Sequence, residues 1–310
     1  KVFNTIIENS NNTDNIIHEV PSFRANFKSL YSNLKFVYQK RDKKKIHHVT
    51  GDIHYCILAL IGFKSVLTIH DLVLLKTTKN KLKKIIYFLF WYDLPIKLAT
   101  KVVCISTKTR EEVQSYIRRR DIEVITNPVG LGFKPDVKDF NTQQPTILHI
   151  GTGWNKNLTK VIEALEGIKC HLRIIGKIKT EDLKLLEAFN INFSNIFNIN
   201  DVEIINEYKK SDIISFPSLF EGFGMPIIEG QAIGRVVLTS NISPMKEIGN
   251  ISVHQVDPKS VENIREGFLR LINDNIYRSS LIKQGFLNVK KHNSSKVSEH
   301  YKNLYEQIIF

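Results

Sequence analysis

The sequence predicts an α/β protein of two domains, each doubly wound around a parallel sheet, on three observations. The chain has 310 residues, more than a single hydrophobic core ordinarily serves. Short apolar runs rich in β-branched residues alternate with longer helical stretches, the pattern of parallel strands joined by crossover helices. That series occurs twice, separated by a stretch without periodicity. In the first half the spacing predicts strands at 46–50, 65–69, 101–105 and 123–126. Between the second and third lies Lys79-Asn-Lys-Leu-Lys-Lys-Ile-Ile-Tyr-Phe-Leu-Phe-Trp-Tyr92, a basic stretch running into an aromatic one and read as a helix on the sheet. The turn formers of Gly130-Leu-Gly-Phe-Lys-Pro135 and Asn141-Thr-Gln-Gln-Pro145 mark an interdomain linker. The second series predicts strands at 146–150, 171–175, 213–216 and 236–239 and a helix at 157–166. The expected domains are therefore 1–138 and 139–296, with a last helix, 297–310, able to pack back on the first. Two such Rossmann-like domains are expected to face each other across a cleft, with ligands beyond the carboxyl ends of the strands.

Composition excludes several classes. With 42% hydrophobic and 24% charged residues the chain reads as globular. No apolar run reaches the ~20 residues that a membrane-spanning helix needs. Cys56, Cys104 and Cys170 are far apart and lack metal-ligand spacing, as suits buried thiols in a reducing compartment. The net charge of +13 is uneven: residues 1–150 hold 24 Lys and Arg against 13 Asp and Glu, and residues 151–310 hold 20 against 18. Such asymmetry suits an anionic partner for the first half, an anionic membrane surface or glycan. Nucleic acid is set aside because helix-turn-helix, zinc-finger and RNP patterns are absent. A cytoplasmic chain, peripheral on the inner face of the cell membrane, is the expectation, and the wealth of Lys, Asn and Ile suits an AT-rich bacterial genome.

The densest chemistry lies in Ser211-Asp-Ile-Ile-Ser-Phe-Pro-Ser-Leu-Phe-Glu-Gly-Phe-Gly-Met-Pro-Ile-Ile-Glu-Gly-Gln-Ala-Ile-Gly234. A buried strand ends at Phe216, Gly222 and Gly224 let backbone approach a ligand, and Pro226 suits the first turn of a helix. The free N–H groups of that turn would accept a diphosphate. Glu221 and Glu229 would flank the same ligand, carboxylates being good acceptors for vicinal hydroxyls.

This segment resembles the E-x7-E signature of the retaining GT-B glycosyltransferases of family 4, the glycosyl transferases group 1. The resemblance implies Glu221 at the donor sugar, Glu229 at the nucleotide ribose, and backbone amides of Gly222, Phe223, Gly224 and Met225 at sugar and phosphate. Gly230 stands where the family usually has Ala, and Arg235 where it often has Pro. Ile147-Leu-His-Ile-Gly-Thr-Gly-Trp-Asn-Lys-Asn-Leu158 resembles the first strand and loop of the donor domain. It implies Gly151, Thr152 and Gly153 as backbone donors and Lys156 as the phosphate cation, although Thr152 replaces the family's Arg. Gly176, ending Leu172-Arg-Ile-Ile-Gly176, resembles the glycine beside the nucleotide base. In the first half Thr68-Ile-His-Asp71 places His70 where the family has its cleft histidine, and Asp71, Gly51, Asp52 and His54 are acceptor-side candidates. The family pattern starts with a strand and Gly-rich loop, and Lys1-Val-Phe-Asn resembles the helix after that loop, so the first strand is expected ahead of this sequence.

The implied function is transfer of a hexose from a UDP- or GDP-sugar, with retention, to a glycan or lipid-linked acceptor in bacterial surface polysaccharide synthesis. The nucleotide sugar is then a substrate and no separate cofactor is expected. The lack of an Asp-x-Asp motif implies no metal. The alternative reading is a nucleotide-sugar-binding protein or epimerase of the same fold without transferase activity.

Overall fold

The computed structural model describes residues 2–9, 15–23 and 26–309. It divides into two compact units, Lys1–Asn127 with Ser295–Phe310, and Pro128–Ser294. In the first, β1 (His47–Val49), β2 (Ser65–Ile69), β3 (Lys101–Cys104) and β4 (Ile122–Val124) form a parallel sheet in the order β1-β2-β3-β4. Alternate residues of the central strands serve two cores. Leu67, Ile69, Val102 and Cys104 pack with Tyr55, Ile57, Trp91 and Ile96. Val66 and Val103 pack with Ile6, Val297, Tyr301, Leu304 and Ile308, so the Val2–Asn9 and Ser294–Ile309 helices cover the other face. Burial on both faces is why β2, Ser-Val-Leu-Thr-Ile, carries no charged residue and shows no apolar–polar alternation.

The second unit holds six parallel strands: β5 (Thr146–Ile150), β6 (His171–Ile175), β7 (Phe193–Ile196), β8 (Ile213–Phe216), β9 (Val236–Ser240) and β10 (His254–Val256). Their order is β10-β9-β8-β5-β6-β7. From β5 the chain first winds outward through β6 and β7, then returns to place β8 on the other side of β5. The topological switch point therefore lies between β5 and β8. The Leu158–Leu165 helix buries Leu158, Val161, Ile162 and Leu165, spaced i, i+3, i+4, i+7, on this sheet. Strands β7 and β10 escape the sequence pattern. They are the two edges, none of β7's residues is fully buried, and Ser, Asn, His and Gln are tolerated there.

Two departures from the family pattern have structural reasons. A Cβ on Gly230 would lie 2.8 Å from Ile214 Cγ1 and 3.0 Å from Val237 Cγ2, so the Met225–Ile233 helix rests directly on β8 and β9. Arg235 is buried and its guanidinium donates to the carbonyls of Ser211, Lys209, Ile233 and Asp136 and to Asp136 Oδ1. It pins the 136 region to the start of β9. Lysine lacks the planar fork to serve these acceptors together. Arg235→Ala should cost about 3 kcal/mol, because it strands buried carbonyls as well as losing the bonds. Urea unfolding would show a lower midpoint at unchanged slope, and Arg235→Lys would recover only part of it. An unchanged midpoint for Arg235→Ala would mean that water replaces the fork.

Candidate active site

At the switch point the loops following β5 and β8 emerge side by side, and side chains stitch them together. Gly151 takes φ +88, and a Cβ there would meet the Lys156 side chain at 3.0 Å, so the glycine gives that side chain its path across the loop. Asn157 sits in the left-handed region at φ 64 and sends its amide to the carbonyls of Pro217 at 3.0 Å and Pro258 at 2.7 Å. Asn155 accepts from Leu219 N on its carbonyl at 2.7 Å, and its side-chain amide donates to the Phe220 carbonyl at 2.9 Å and Glu221 Oε1 at 3.2 Å. Lys156 Nζ reaches the same carboxylate oxygen at 2.6 Å and lies 5.1 Å from the Phe216 ring centroid. Trp154 stacks on Phe220 at an interplanar angle of 16° and is largely exposed.

Beyond Glu221, Phe223 is buried with its ring edge-on to His292, and Gly224 takes φ +128 to start the Met225–Ile233 helix. Glu229, one turn in, accepts at Oε2 from the Tyr208 hydroxyl at 2.6 Å. Burial and then the Glu229 charge hold the Tyr208 phenol well above its ordinary pKa, so it stays protonated and acts as the donor. Gly176, at φ +129, is approached by Thr152, whose hydroxyl donates to the Lys177 carbonyl at 2.7 Å. Thus Gly151, Thr152, Gly153, Lys156, Gly176 and Glu221 to Met225 gather at the carboxyl end of one sheet, with Glu229 in the helix that follows. Asn155, Asn157 and Tyr208 belong to the arrangement and were not singled out from sequence. The one usable signal in the sequence is an asparagine at 157, directly after the expected phosphate cation, a residue type that tolerates the left-handed backbone. Tyr208, on a helix remote in sequence, offered none.

In the first unit, His70 follows β2 and its Nε2 donates to the Thr50 carbonyl at 2.6 Å, a bond that leaves Nδ1 of a neutral ring as an acceptor. Asp71 Oδ1 accepts from Val73 N at 2.8 Å. Burial raises the Asp71 pKa, the Val73 N–H opposes this, and Asp52 adds to it. Gly51, Asp52 and His54 lie in the segment after β1, which docks on Trp91: the Trp91 indole donates to the Asp52 carbonyl at 3.1 Å, and His54 Nδ1 donates to the Trp91 carbonyl at 3.0 Å. His54 is fully enclosed, whereas His70 and Asp71 are half-buried.

Residues 133–287 match the family model described as Glycosyl transferases group 1, and residues 8–132 match that described as Glycosyltransferase Family 4. The chain belongs to the group 1 glycosyltransferases. Among relatives of this glycosyltransferase is an uncharacterized glycosyltransferase of Methanocaldococcus jannaschii, 25% identical over 94% of this chain and 85% of that protein. Another is the UDP-Gal:alpha-D-GlcNAc-diphosphoundecaprenol alpha-1,3-galactosyltransferase of Escherichia coli, 26% identical over 82% of this chain and 68% of that protein. The sucrose-phosphate synthase of Thermosynechococcus elongatus shares its fold with a TM-score of 0.78 at 16% identity, over 97% of this chain and 86% of that one. The GT-B architecture is thereby established.

Two enclosed histidines, His149 and His54, and the half-buried His48 should make the stability of the glycosyltransferase sensitive to acid. Burial lowers the pKa of His149, whose Nε2 has no hydrogen-bond partner among the described residues, from 6.5 to about 3, with the Lys156 charge adding to the shift. Burial and then His70 bring His48 to about 3, and burial, opposed by Asp52, brings His54 to about 4. A histidine lowered in this way contributes its full stability above the unfolded value of 6.5 and loses it as the pH falls toward 3 or 4. Urea unfolding at pH 7, 6 and 5 should show stability declining steeply with pH. In His149→Gln the slope should be shallower by about 1.4 kcal/mol per pH unit. An unaltered slope would show that folded His149 takes up its proton in that range.

Proposed function

We propose that this glycosyltransferase moves a hexose from a nucleoside-diphosphate sugar, with retention of the anomeric configuration, to a glycan or lipid-linked acceptor of a bacterial surface polysaccharide. The observation that carries this reading is the Lys156–Glu221 pair, 2.6 Å long and set beside the N-terminus of the Met225–Ile233 helix at the switch point. One cation and a row of backbone N–H groups suit a diphosphate. The carboxylates of Glu221 and Glu229 suit the hydroxyls of the sugar and the ribose on either side of it. The relative in Escherichia coli whose name specifies UDP-Gal as donor supports a nucleotide donor, and the diphosphoundecaprenol in that name supports a lipid-linked acceptor.

In the reaction the bond from the anomeric carbon to the phosphate oxygen breaks, and its electron pair leaves with the diphosphate. Lys156 and the helix amides are placed to receive that growing charge, which is where electrostatic stabilisation acts most strongly. Glu221 orients the sugar while holding Lys156. The acceptor hydroxyl then attacks from the face the phosphate leaves, and its proton goes to a departing phosphate oxygen. Glu229, fixed by Tyr208, anchors the ribose and takes no part in bond breaking. His70 and Asp71 are assigned to the acceptor side.

Lys156→Ala should lower kcat about 10²-fold, the scale of losing one preorganised charge-stabilising group, while leaving nucleoside diphosphate affinity within a few-fold. Glu229→Ala should weaken binding of the bare nucleoside diphosphate about tenfold or more, as expected for a lost charge-assisted hydrogen bond, with less effect on kcat. Calorimetric titration and initial-rate kinetics with a screen of nucleotide sugars make the comparison. Equal nucleotide affinity in Glu229→Ala and wild type would remove the ribose assignment. An inverted anomeric configuration in the product, read by NMR, would remove retention.

A further inference from the structure

The basic and aromatic stretch of the first unit folds into a helix, Lys81–Tyr87, that continues as a π-helix, Phe88–Asp93. One side of it is ordinary core: Tyr87, Trp91 and Tyr92 are buried, with Tyr55 and Trp91 rings 4.7 Å apart. The other side is also apolar. Leu82, Ile85, Ile86 and Leu89 recur at i, i+3, i+4 and i+7, and with Phe90 they form a ridge whose members are exposed by between 38% at Leu89 and 68% at Leu82. A helix that is apolar on its solvent side needs a second apolar neighbour.

The charges around the ridge identify that neighbour. Lys79, Lys81, Lys83 and Lys84 flank it, the stretch from Lys79 to Trp91 has no acidic residue, and none of these four lysines pairs with an acid among the described residues. Lys83 Nζ lies 5.4 Å from the Tyr87 ring centroid, turned along the helix. A second copy of this chain docked about a two-fold axis would set one copy's lysines against the other's, with no carboxylate of the ridge to offset them. An anionic lipid surface satisfies both features at once. Its acyl region takes the ridge and its headgroups take the ammonium groups, the manner in which an amphipathic helix lies in a membrane interface without crossing it. No described helix is long and apolar enough to span a membrane.

We propose that Leu82, Ile85, Ile86, Leu89 and Phe90, fringed by Lys79, Lys81, Lys83 and Lys84, form the face by which this glycosyltransferase lies on an anionic lipid surface. The inference stands on exposure and charge alone, and its test reads binding, so it can fail without touching the assignment of donor or acceptor. The probe is vesicle flotation of the full chain with phosphatidylglycerol–phosphatidylcholine vesicles and with phosphatidylcholine vesicles. Wild type should float with the anionic vesicles, less so as salt is raised, and weakly with the neutral ones. Lys81→Glu/Lys83→Glu/Lys84→Glu should lower partitioning into anionic vesicles by about 10²-fold, on the order of 1 kcal/mol for each basic side chain. Ile85→Ser/Leu89→Ser should lower it by at least about tenfold while keeping the salt dependence. All substituted residues lie on the solvent side, and unchanged circular dichroism and melting temperature check that the variants fold. A fluorophore on Ile86→Cys should shift to the blue on anionic vesicles, independently of how well the other variants behave. Absence of binding at low salt, binding insensitive to salt, or a ridge-dependent dimer in sedimentation would each overturn the proposal.

Discussion

The geometry of the candidate site depends on one constraint: two loops that diverge from neighbouring strands must be held together where no ladder of backbone hydrogen bonds can do it. The switch point between β5 and β8 creates that situation, because the chain leaves the two strands in different directions. Asn155 and Asn157 resolve it. Each offers an amide with two donors, and Asn157 also tolerates the left-handed backbone needed to turn from the short Trp154–Lys156 helix into the Leu158–Leu165 helix. With the asparagines spent on the Pro217, Phe220 and Pro258 carbonyls and on Glu221 Oε1, Lys156 between them also points at Glu221. The cation is thus placed by its neighbours' hydrogen bonds as well as by its own pair.

That placement has an electrostatic cost below it. His149 lies on β5 under the loop, enclosed, beside the Lys156 charge. A protonated imidazole there would repel Lys156 and weaken the very potential the loop presents to an anion. Burial keeps the ring neutral, so His149 adds no second positive charge beside the Lys156–Glu221 pair. The same logic runs the other way at Glu229. The Tyr208 hydroxyl is held protonated by burial, so it can only donate to the Glu229 carboxyl, and its 2.6 Å bond fixes the orientation of that group. Both groups that would meet the ligand are therefore prepared by residues that would not touch it.

What was legible in the sequence follows how each residue is used. Strands buried on both faces, such as β2 and β9, announce themselves as uncharged runs rich in β-branched residues, and the chemistry of Glu221 to Glu229 is compact enough to be read as one segment. The edge strands β7 and β10 carry polar residues because one side of each lies open, so no alternation marks them. Tyr208 is 21 residues before Glu229, on a different helix, and only packing brings the two together. Arg235 reads as a stray charge beside a buried strand. Its reason, acceptors at residues 136, 209, 211 and 233, is distributed over about a hundred positions of chain.

The Lys79 to Tyr92 stretch shows the limit of composition most sharply. Its bulky residues are of one chemical kind, yet Tyr87, Trp91 and Tyr92 close the core under β2 and β3 while Leu82, Ile85, Ile86, Leu89 and Phe90 are left on the solvent side. A sum of hydrophobicity over the segment cannot separate the two groups. The period can, since residues four apart share a helical face and the two sets are offset by about half a turn. Once the aromatic set is fixed by Tyr55, the second set stays exposed, and among the described residues the lysines interleaved with it form no ion pair. A segment that serves the core with one face and carries an unpaired basic apolar ridge on the other is under two separate demands. Folding accounts for the first, and the proposed contact with an anionic lipid surface would account for the second.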